Sequence, residues 1–344
     1  MLRWRLILKE FLKIVRKAIL LTAVVFITYI AGVIIVGMKV NPHIVRATFI
    51  ETIVTDDRRL FNDSVSFFIF ESPEVIERFH YYRNDQFSSN RGMEGIFSLL
   101  KFVDTAFYNK CTRTSIFVPQ RPSKIMDFCK YKHLRGRCYN DAILFNFLSQ
   151  VNGFKTRNVS LDALDGYGGS GHAVVEVWIP DLEKWVLVDA QNLAIFYDGH
   201  GNPMSALEIR KSLIENKDFN IQVEQYGANF ILPDSELIGY YAGRIPTLVL
   251  IRKNNFESRY DNRILSFVSS LETGCGKPCL LMARFLYSLL AGEERVLYKD
   301  ERTRYMDFVI WNSIFKIMLT FLFVLGVLWS VFALFMKIKG GRES

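Results

Sequence analysis

The stretch HAVVEVWIPDLEKWVLVD, residues 172–189, decides the fold of this 344-residue chain. Two largely apolar runs flank a short polar turn, and their alternation predicts an antiparallel β-hairpin. Pairing Trp178 with Trp185 sends one set of apolar side chains to a single face. In the same register His172 and Asp189 emerge together on the opposite face, ~7–8 Å apart at the backbone. The apolar face would comprise Ala173, Val175, Val177, Ile179, Val186, Val188 and Ala190.

A strongly apolar segment upstream predicts the helix on which this hairpin packs. Residues 139–151 form the predicted helix, which ends near Gly153. Just before it, RGRC at 135–138 brings Cys138 to the first helical turn. Unpaired N–H groups and the helix dipole stabilise a thiolate at that position. Taken alone, however, a cysteine beside an apolar helix is more often an inert core thiol.

Cys138, His172 and Asp189 occur in the order and setting of a cysteine triad. The imidazole would take the thiol proton, and the carboxylate would orient the ring and favour its protonated form. Alone, His172 would fit a hydrogen-bonded structural histidine, and Asp189 a turn-capping acid. Their joint order and spacing favour a catalytic set with Cys138 as the nucleophile.

These segments resemble the transglutaminase-like superfamily, whose fold is related to that of papain-type cysteine peptidases. The resemblance implies an α+β domain with its core at about residues 90–217. Within it Cys138 would be the nucleophile, His172 the general base and Asp189 the orienting acid. Ala190 stands where the family usually has proline after the acid. The matching stretches are GRC at 136–138, GFKTR at 153–157, GHAVVEVW at 171–178 and KWVLVD at 184–189.

The resemblance implies thiol acyl chemistry and leaves the substrate open, because the family includes amide crosslinkers, peptidases and other amide-processing enzymes. The Cys138 backbone N–H is the expected oxyanion donor, and Gln120 is a candidate side chain for the same task. We predict no cofactor and no metal. Cys129 and His133 near Cys138 have part of a zinc-ligand spacing, but no second pair completes it. No acidic repeat typical of a calcium loop occurs.

Five cysteines make an odd count. In an oxidising compartment the simplest arrangement pairs Cys111 with Cys129 and Cys275 with Cys279, which leaves Cys138 as a free thiol. The alternative is that none of them is bonded.

Two uncharged apolar runs, residues 18–38 and 317–336, predict membrane anchors at both ends of the chain. Each is long enough to cross a hydrocarbon layer of ~30 Å. A buried core helix is the alternative for either run. A cleavable signal peptide is the alternative for the first, although its length and the lack of a small-x-small cleavage site disfavour it.

The flanking charges predict the orientation of these anchors. The basic N-terminus at 1–17 and the tail at 337–344 would both lie in the cytoplasm. Residues 39–316 would then lie outside it, most simply in the periplasm, with the anchors in a bacterial inner membrane.

The net charge of +8 comes almost entirely from the two ends. Eleven of the 43 basic residues, but only two of the 35 acidic ones, lie within 1–39 and 316–344. The region between is nearly neutral, which disfavours a nucleic-acid partner. The 50% hydrophobic content also excludes a disordered chain.

The remaining patterns predict a mixture of helices and strands, without indicating a function for residues 220–300. Alternation between 40 and 90 suggests strands, as in 64–70. Ser205 and Glu208 have capping-box spacing at the start of a helix. Predicted helices are 92–109, 124–132, 204–216, 262–272 and 279–290, and further strands are 155–161 and 247–252.

These observations lead us to expect a membrane-anchored thiol enzyme. It would act on amide or peptide carbonyls of envelope proteins, peptides or cell-wall material, by hydrolysis or by transfer to an amine. An alternative of a different class is a catalytically silent scaffold within a membrane complex that makes or exports an envelope polysaccharide. A third is glycan binding through exposed aromatic residues.

Overall fold

The computed structural model describes most of one unit, Phe49–Tyr305, and three isolated residues outside it, Lys13, Leu20 and Val24. The predicted anchors at 18–38 and 317–336 therefore lie outside the described residues, except for Leu20 and Val24. In the part of the chain that is described, no helix is long and apolar enough to cross a membrane. The described ranges are 50–54, 71–84, 87, 91–114, 121–162, 171–214, 222–226, 233–245, 247–251, 257, 267 and 295–298.

The described residues contain both helices and strands, as expected for an α+β domain. The helices are α1 Pro73–Arg78, α2 Met93–Ala106, α3 Pro122–Lys132, α4 Cys138–Val151, α5 Ala206–Ile214 and α6 Asp234–Ala242. The strands are β1 Ile50–Val54, β2 Thr112–Arg113, β3 Leu134–Arg135, β4 Thr156–Asp162, β5 His172–Ile179, β6 Lys184–Asp189, β7 Ala194–Tyr197, β8 Gln222–Gln225, β9 Thr247–Ile251 and β10 Arg295–Tyr298.

Eight of the described strands form one sheet in the order β1-β10-β9-β4-β5-β6-β7-β8. The pairing is antiparallel except between β1 and β10. The short strands β2 and β3 form a separate parallel pair. The sheet therefore extends beyond the predicted core at 90–217, since β1, β9 and β10 complete one side of it.

The hairpin prediction is confirmed. Trp178 pairs with Trp185, and Val175 pairs with Val188. The predicted apolar face is buried in one cluster with α4. The opposite face of the sheet packs in a second cluster with α5 and α6, which includes Leu187 and Tyr241. Because both faces are covered, the strands at the centre of the sheet are almost wholly buried.

Two other local predictions have definite outcomes. The capping box is present, since Ser205 N–H donates to Glu208 Oε2 at 2.7 Å and Glu208 N–H donates to Ser205 Oγ at 3.3 Å. The suggestion of strands between 40 and 90 is wrong for Pro73–Arg78, which is helical. Ser72 caps that helix and Pro73 occupies its first turn, and these start signals outweigh local alternation. Residues 64–70 lie outside the described residues.

The predicted disulfide between Cys111 and Cys129 is present, with the two Cα atoms 5.3 Å apart. It joins the segment before β2 to helix α3. Cys138 is a free thiol. Cys275 and Cys279 lie outside the described residues, as do the predicted helices 262–272, apart from Phe267, and 279–290.

Candidate active site

The start of α4 holds Cys138 beside the first residues of β5. Gly136 approaches Asn140 so closely that a Cβ atom there would lie 2.8 Å from the Asn140 Cβ. This close approach lets Asn140 Oδ1 accept a hydrogen bond from Arg137 N–H at 3.4 Å, at the helix start. Cys138 is the first helical residue, and its own backbone N–H has no hydrogen-bond partner among the described residues. The local sequence thus provides both a thiol and a free N–H donor at one position.

His172, the first residue of β5, is buried and lies against Asp189. Its Nε2 atom is 2.8 Å from Asp189 Oδ2. Because an ionised carboxylate can only accept, Nε2 carries the proton in this contact. The other ring nitrogen, Nδ1, is buried without a nitrogen or oxygen partner among the described residues. Nδ1 is therefore the atom left to exchange a proton with the Cys138 thiol.

Asp189, the last residue of β6, is fully buried and accepts hydrogen bonds at both oxygens. Asn192 Nδ2 donates to Oδ2 at 2.7 Å, and the Tyr241 hydroxyl donates to the same oxygen at 2.9 Å. The backbone N–H groups of Gln191 and Asn192 donate to Oδ1 at 3.0 and 3.1 Å. These donors fix the carboxylate, which in turn fixes the plane of the His172 ring.

The electrostatics favour an ion pair between the thiol and the imidazole. Burial raises the pKa of the Cys138 thiol, but hydrogen bonding and charge from His172 outweigh it, and the pKa is lowered overall. Burial lowers the pKa of His172, whereas the Asp189 carboxylate and then Cys138 raise it, to about 9. Burial raises the pKa of Asp189, but the charge and hydrogen bond of His172 outweigh burial, so this pKa lies below the ordinary value. A thiolate and an imidazolium are the forms that this arrangement stabilises.

We expect the pH dependence of Cys138 alkylation to reflect this pair. The pKa of the Cys138 thiol is lowered, so the alkylation rate should rise at a lower pH than it does for an ordinary thiol, whose pKa is about 8.5. Acyl transfer also needs a protonated imidazole to release the leaving group, and should therefore fall as pH rises through about 9. Iodoacetamide alkylation followed from roughly pH 5 to 10 measures the first behaviour. A single titration at the ordinary thiol pKa would contradict it.

Helix α6 adds two tyrosines that the sequence did not indicate. The ring centroids of Tyr240 and Tyr241 lie 5.1 and 5.7 Å from that of His172, both edge to face. They come from the stretch 220–300, for which no function was predicted. No local signal marks them, because their role depends on the packing of α6 beside β5 and β6, which are distant in sequence.

A second polar cluster lies one helical turn beyond Cys138, around Asp141. Pairing of β2 with β3 brings Arg113 beside Arg135, and Arg135 stacks 4.1 Å from the centroid of the Tyr108 ring. Burial raises the pKa of Asp141 to about 7. The charges of Arg135 and Arg113 lower this pKa, whereas the Asp189 carboxylate raises it further. This cluster links the β2–β3 pair electrostatically to the Asp189 carboxylate.

The structure thus brings the three predicted residues together at one end of the central strands. Residues 93–190 match the model of the transglutaminase-like superfamily. The match begins at the first residue of α2 and ends just after β6, so it includes Cys138, His172 and Asp189 and excludes α6. No curated protein and no solved structure matched the chain in the same comparisons.

Two subsidiary predictions concern metals and the oxyanion. Cys129 is bonded to Cys111, so its sulfur is not available as a zinc thiolate. Among the described residues, no group of three or more histidine, cysteine or acidic side chains is arranged to hold a metal ion. Gln120, the candidate oxyanion side chain, lies outside the described residues.

Proposed function

We propose that this chain is a thiol enzyme that attacks amide or peptide carbonyls, with Cys138 as nucleophile, His172 as general base and acid, and Asp189 as orienting acid. The observation that carries the proposal is the 2.8 Å contact between His172 and Asp189, with the free Cys138 thiol interacting with the same ring. A structural histidine would satisfy both ring nitrogens. Here one is buried and left for the thiol.

The reaction follows from the atoms present. The Cys138 thiolate attacks the carbonyl carbon, a C–S bond forms, and the carbonyl electron pair moves to oxygen. Collapse restores the C=O bond and breaks the C–N bond, while His172 Nδ1 gives its proton to the departing amine. Water or a second amine then attacks the thioester and passes a proton to His172. The C–S bond breaks and the thiolate returns, which gives hydrolysis or transamidation respectively.

We also propose that the domain works outside the cytoplasm and is held at a membrane by residues 18–38 and 317–336. The Cys111–Cys129 disulfide supports an oxidising compartment. A site held near a membrane would meet envelope proteins, peptides or cell-wall material. The test is a membrane-impermeant thiol reagent applied to cells with a permeabilised outer envelope and an intact inner membrane. Protection of Cys138 from that reagent would contradict the proposed side of the membrane.

A chloroacetamide probe tests the enzymatic proposal on the full-length protein at neutral pH. Mass spectrometry should find Cys138 alkylated at least about tenfold faster than a free cysteine, because its thiolate fraction is higher. Cys138→Ala should abolish the label. Alkylation no faster than that of a free thiol would favour the alternative function, a silent scaffold in a membrane complex.

A further inference from the structure

Helix α6 presents two neighbouring tyrosines to the same histidine, but it uses their hydroxyl groups differently. Successive residues on a helix point about 100° apart, so Tyr240 and Tyr241 approach the His172 ring from different directions. The Tyr241 hydroxyl donates a 2.9 Å hydrogen bond to Asp189. The Tyr240 hydroxyl makes no hydrogen bond to any described residue, and the side chain is only partly buried. A hydroxyl group on a partly exposed side chain therefore lies beside the imidazole.

The surroundings of Tyr240 keep its hydroxyl a hydrogen-bond donor. Burial raises the pKa of Tyr240 to about 12. The charges of Cys138 and Asp189 also raise this pKa, whereas the charge of Arg244 lowers it. The Arg244 guanidinium lies 3.5 Å from the ring centroid, and its Nη1 donates to the Tyr240 carbonyl oxygen at 2.9 Å. This stacking holds the ring in place and draws electron density from it. The phenol thus stays protonated within the electrostatic range of the Cys138 thiolate.

Attack on an acyl group by Cys138 creates a negative oxygen that needs more than one donor. The Cys138 backbone N–H supplies one, since it has no hydrogen-bond partner among the described residues. We propose that the Tyr240 hydroxyl is the second donor, and that it binds the oxyanion of the acyl group undergoing attack. This inference rests on the proposed thiol chemistry and adds to it a catalytic residue from outside the matched range 93–190.

The hydroxyl acts without giving up its proton. As the thiolate forms the C–S bond, the carbonyl electrons move to oxygen, and the Tyr240 O–H bond points its hydrogen at that charge. When the tetrahedral species collapses, the electrons return to the C=O bond and the leaving group departs with the His172 proton. Tyr240 is neutral before and after the step, so no further reactant is needed.

Two reactions of the same thiol distinguish this role from a structural one. Alkylation by iodoacetamide proceeds without an oxyanion, whereas acylation by p-nitrophenyl acetate passes through one. In the full-length protein, Tyr240→Phe should leave the alkylation rate of Cys138 unchanged and lower the acylation rate on the order of 100-fold. The unchanged alkylation also shows that the variant is folded with an intact triad.

Tyr241→Phe is the matched control, since it removes one hydroxyl from the neighbouring position. That variant loses the hydrogen bond to Asp189, so we expect alkylation and acylation to fall together. If Tyr240→Phe lowers both rates equally, or neither, the oxyanion role is wrong while the proposed enzyme stands. If the unmodified protein is neither alkylated nor acylated faster than free cysteine, the proposed function itself fails and this inference fails with it.

Discussion

Replacement of His172 by alanine should remove most of the reactivity of Cys138. Without the imidazole, burial is left as the largest influence on the thiol and raises its pKa, so little thiolate remains at neutral pH. We expect the alkylation rate at pH 7 to fall by about 30- to 100-fold, because a thiol with a pKa above 8.5 is at most a few per cent ionised there. Acyl transfer should fall further, by on the order of 1000-fold, since the proposed general acid and base is lost as well.

His200→Ala is the control for this variant. His200 lies in an exposed turn, where its backbone N–H donates to Asp198 Oδ1 at 2.9 Å, a bond that alanine retains. Its replacement should leave both rates unchanged. Competition between iodoacetamide labelling of Cys138 and of added glutathione measures the relative rate directly. A His172→Ala protein that alkylates as fast as the unmodified one would show that the thiolate does not depend on the imidazole, and the triad interpretation would be wrong.

The register of the β5–β6 hairpin was predictable because two patterns constrain it at once. Pairing Trp178 with Trp185 aligns the apolar face, and the same alignment brings His172 and Asp189 within side-chain reach. A shift by one residue would have moved the apolar set to the opposite face of the sheet, away from α4. The site geometry therefore follows from sequence wherever its members lie on adjacent strands joined by a short turn.

Residues that distant segments contribute to the site could not be predicted from local sequence patterns. Tyr241 donates to Asp189 across a separation of 52 residues, and nothing in its neighbours marks it as part of a site. Strand β9 joins the sheet beside β4, although 84 residues, 163–246, lie between them. Such contacts are selected by packing of the whole domain, which periodicity within one segment does not describe.

The buried ion pair of Arg157 and Glu176 shows a limit of periodicity. The alternating pattern gives the face on which each residue lies, but it does not predict that the two side chains form a pair. Arg157 of β4 lies directly opposite Glu176 of β5, and Arg157 Nε is 2.5 Å from Glu176 Oε2. The two side chains are 1% and 0% exposed. The guanidinium stacks 4.3 Å from the Trp185 ring centroid, and Glu176 Oε1 accepts from Ala206 N–H at 2.7 Å, at the start of α5. Alternation places Glu176 on the face opposite the predicted apolar one, but it does not predict that this face is buried against α5.

Glu176→Ala should therefore destabilise the domain severely. It leaves a guanidinium in a fully buried site, where burial already lowers the Arg157 pKa against the opposing charge of Glu176, and it removes the acceptor for Ala206 N–H. Loss of one member of a buried pair typically costs about 3–5 kcal/mol. The free energy of unfolding in urea should fall by that amount, and the Cys138 alkylation rate should fall only as far as the folded fraction does.

The double variant Arg157→Met with Glu176→Gln separates charge burial from loss of packing. It removes both charges, keeps side chains of similar length, and retains an amide oxygen for Ala206 N–H. Because the pair must be desolvated in order to form, we expect most of the stability lost in Glu176→Ala to return. If the double variant is as unstable as Glu176→Ala, the pair contributes through specific geometry rather than through mutual neutralisation of two buried charges. A Glu176→Ala protein as stable as the unmodified one would show that water reaches Arg157, contrary to its burial beneath α5 and Trp185.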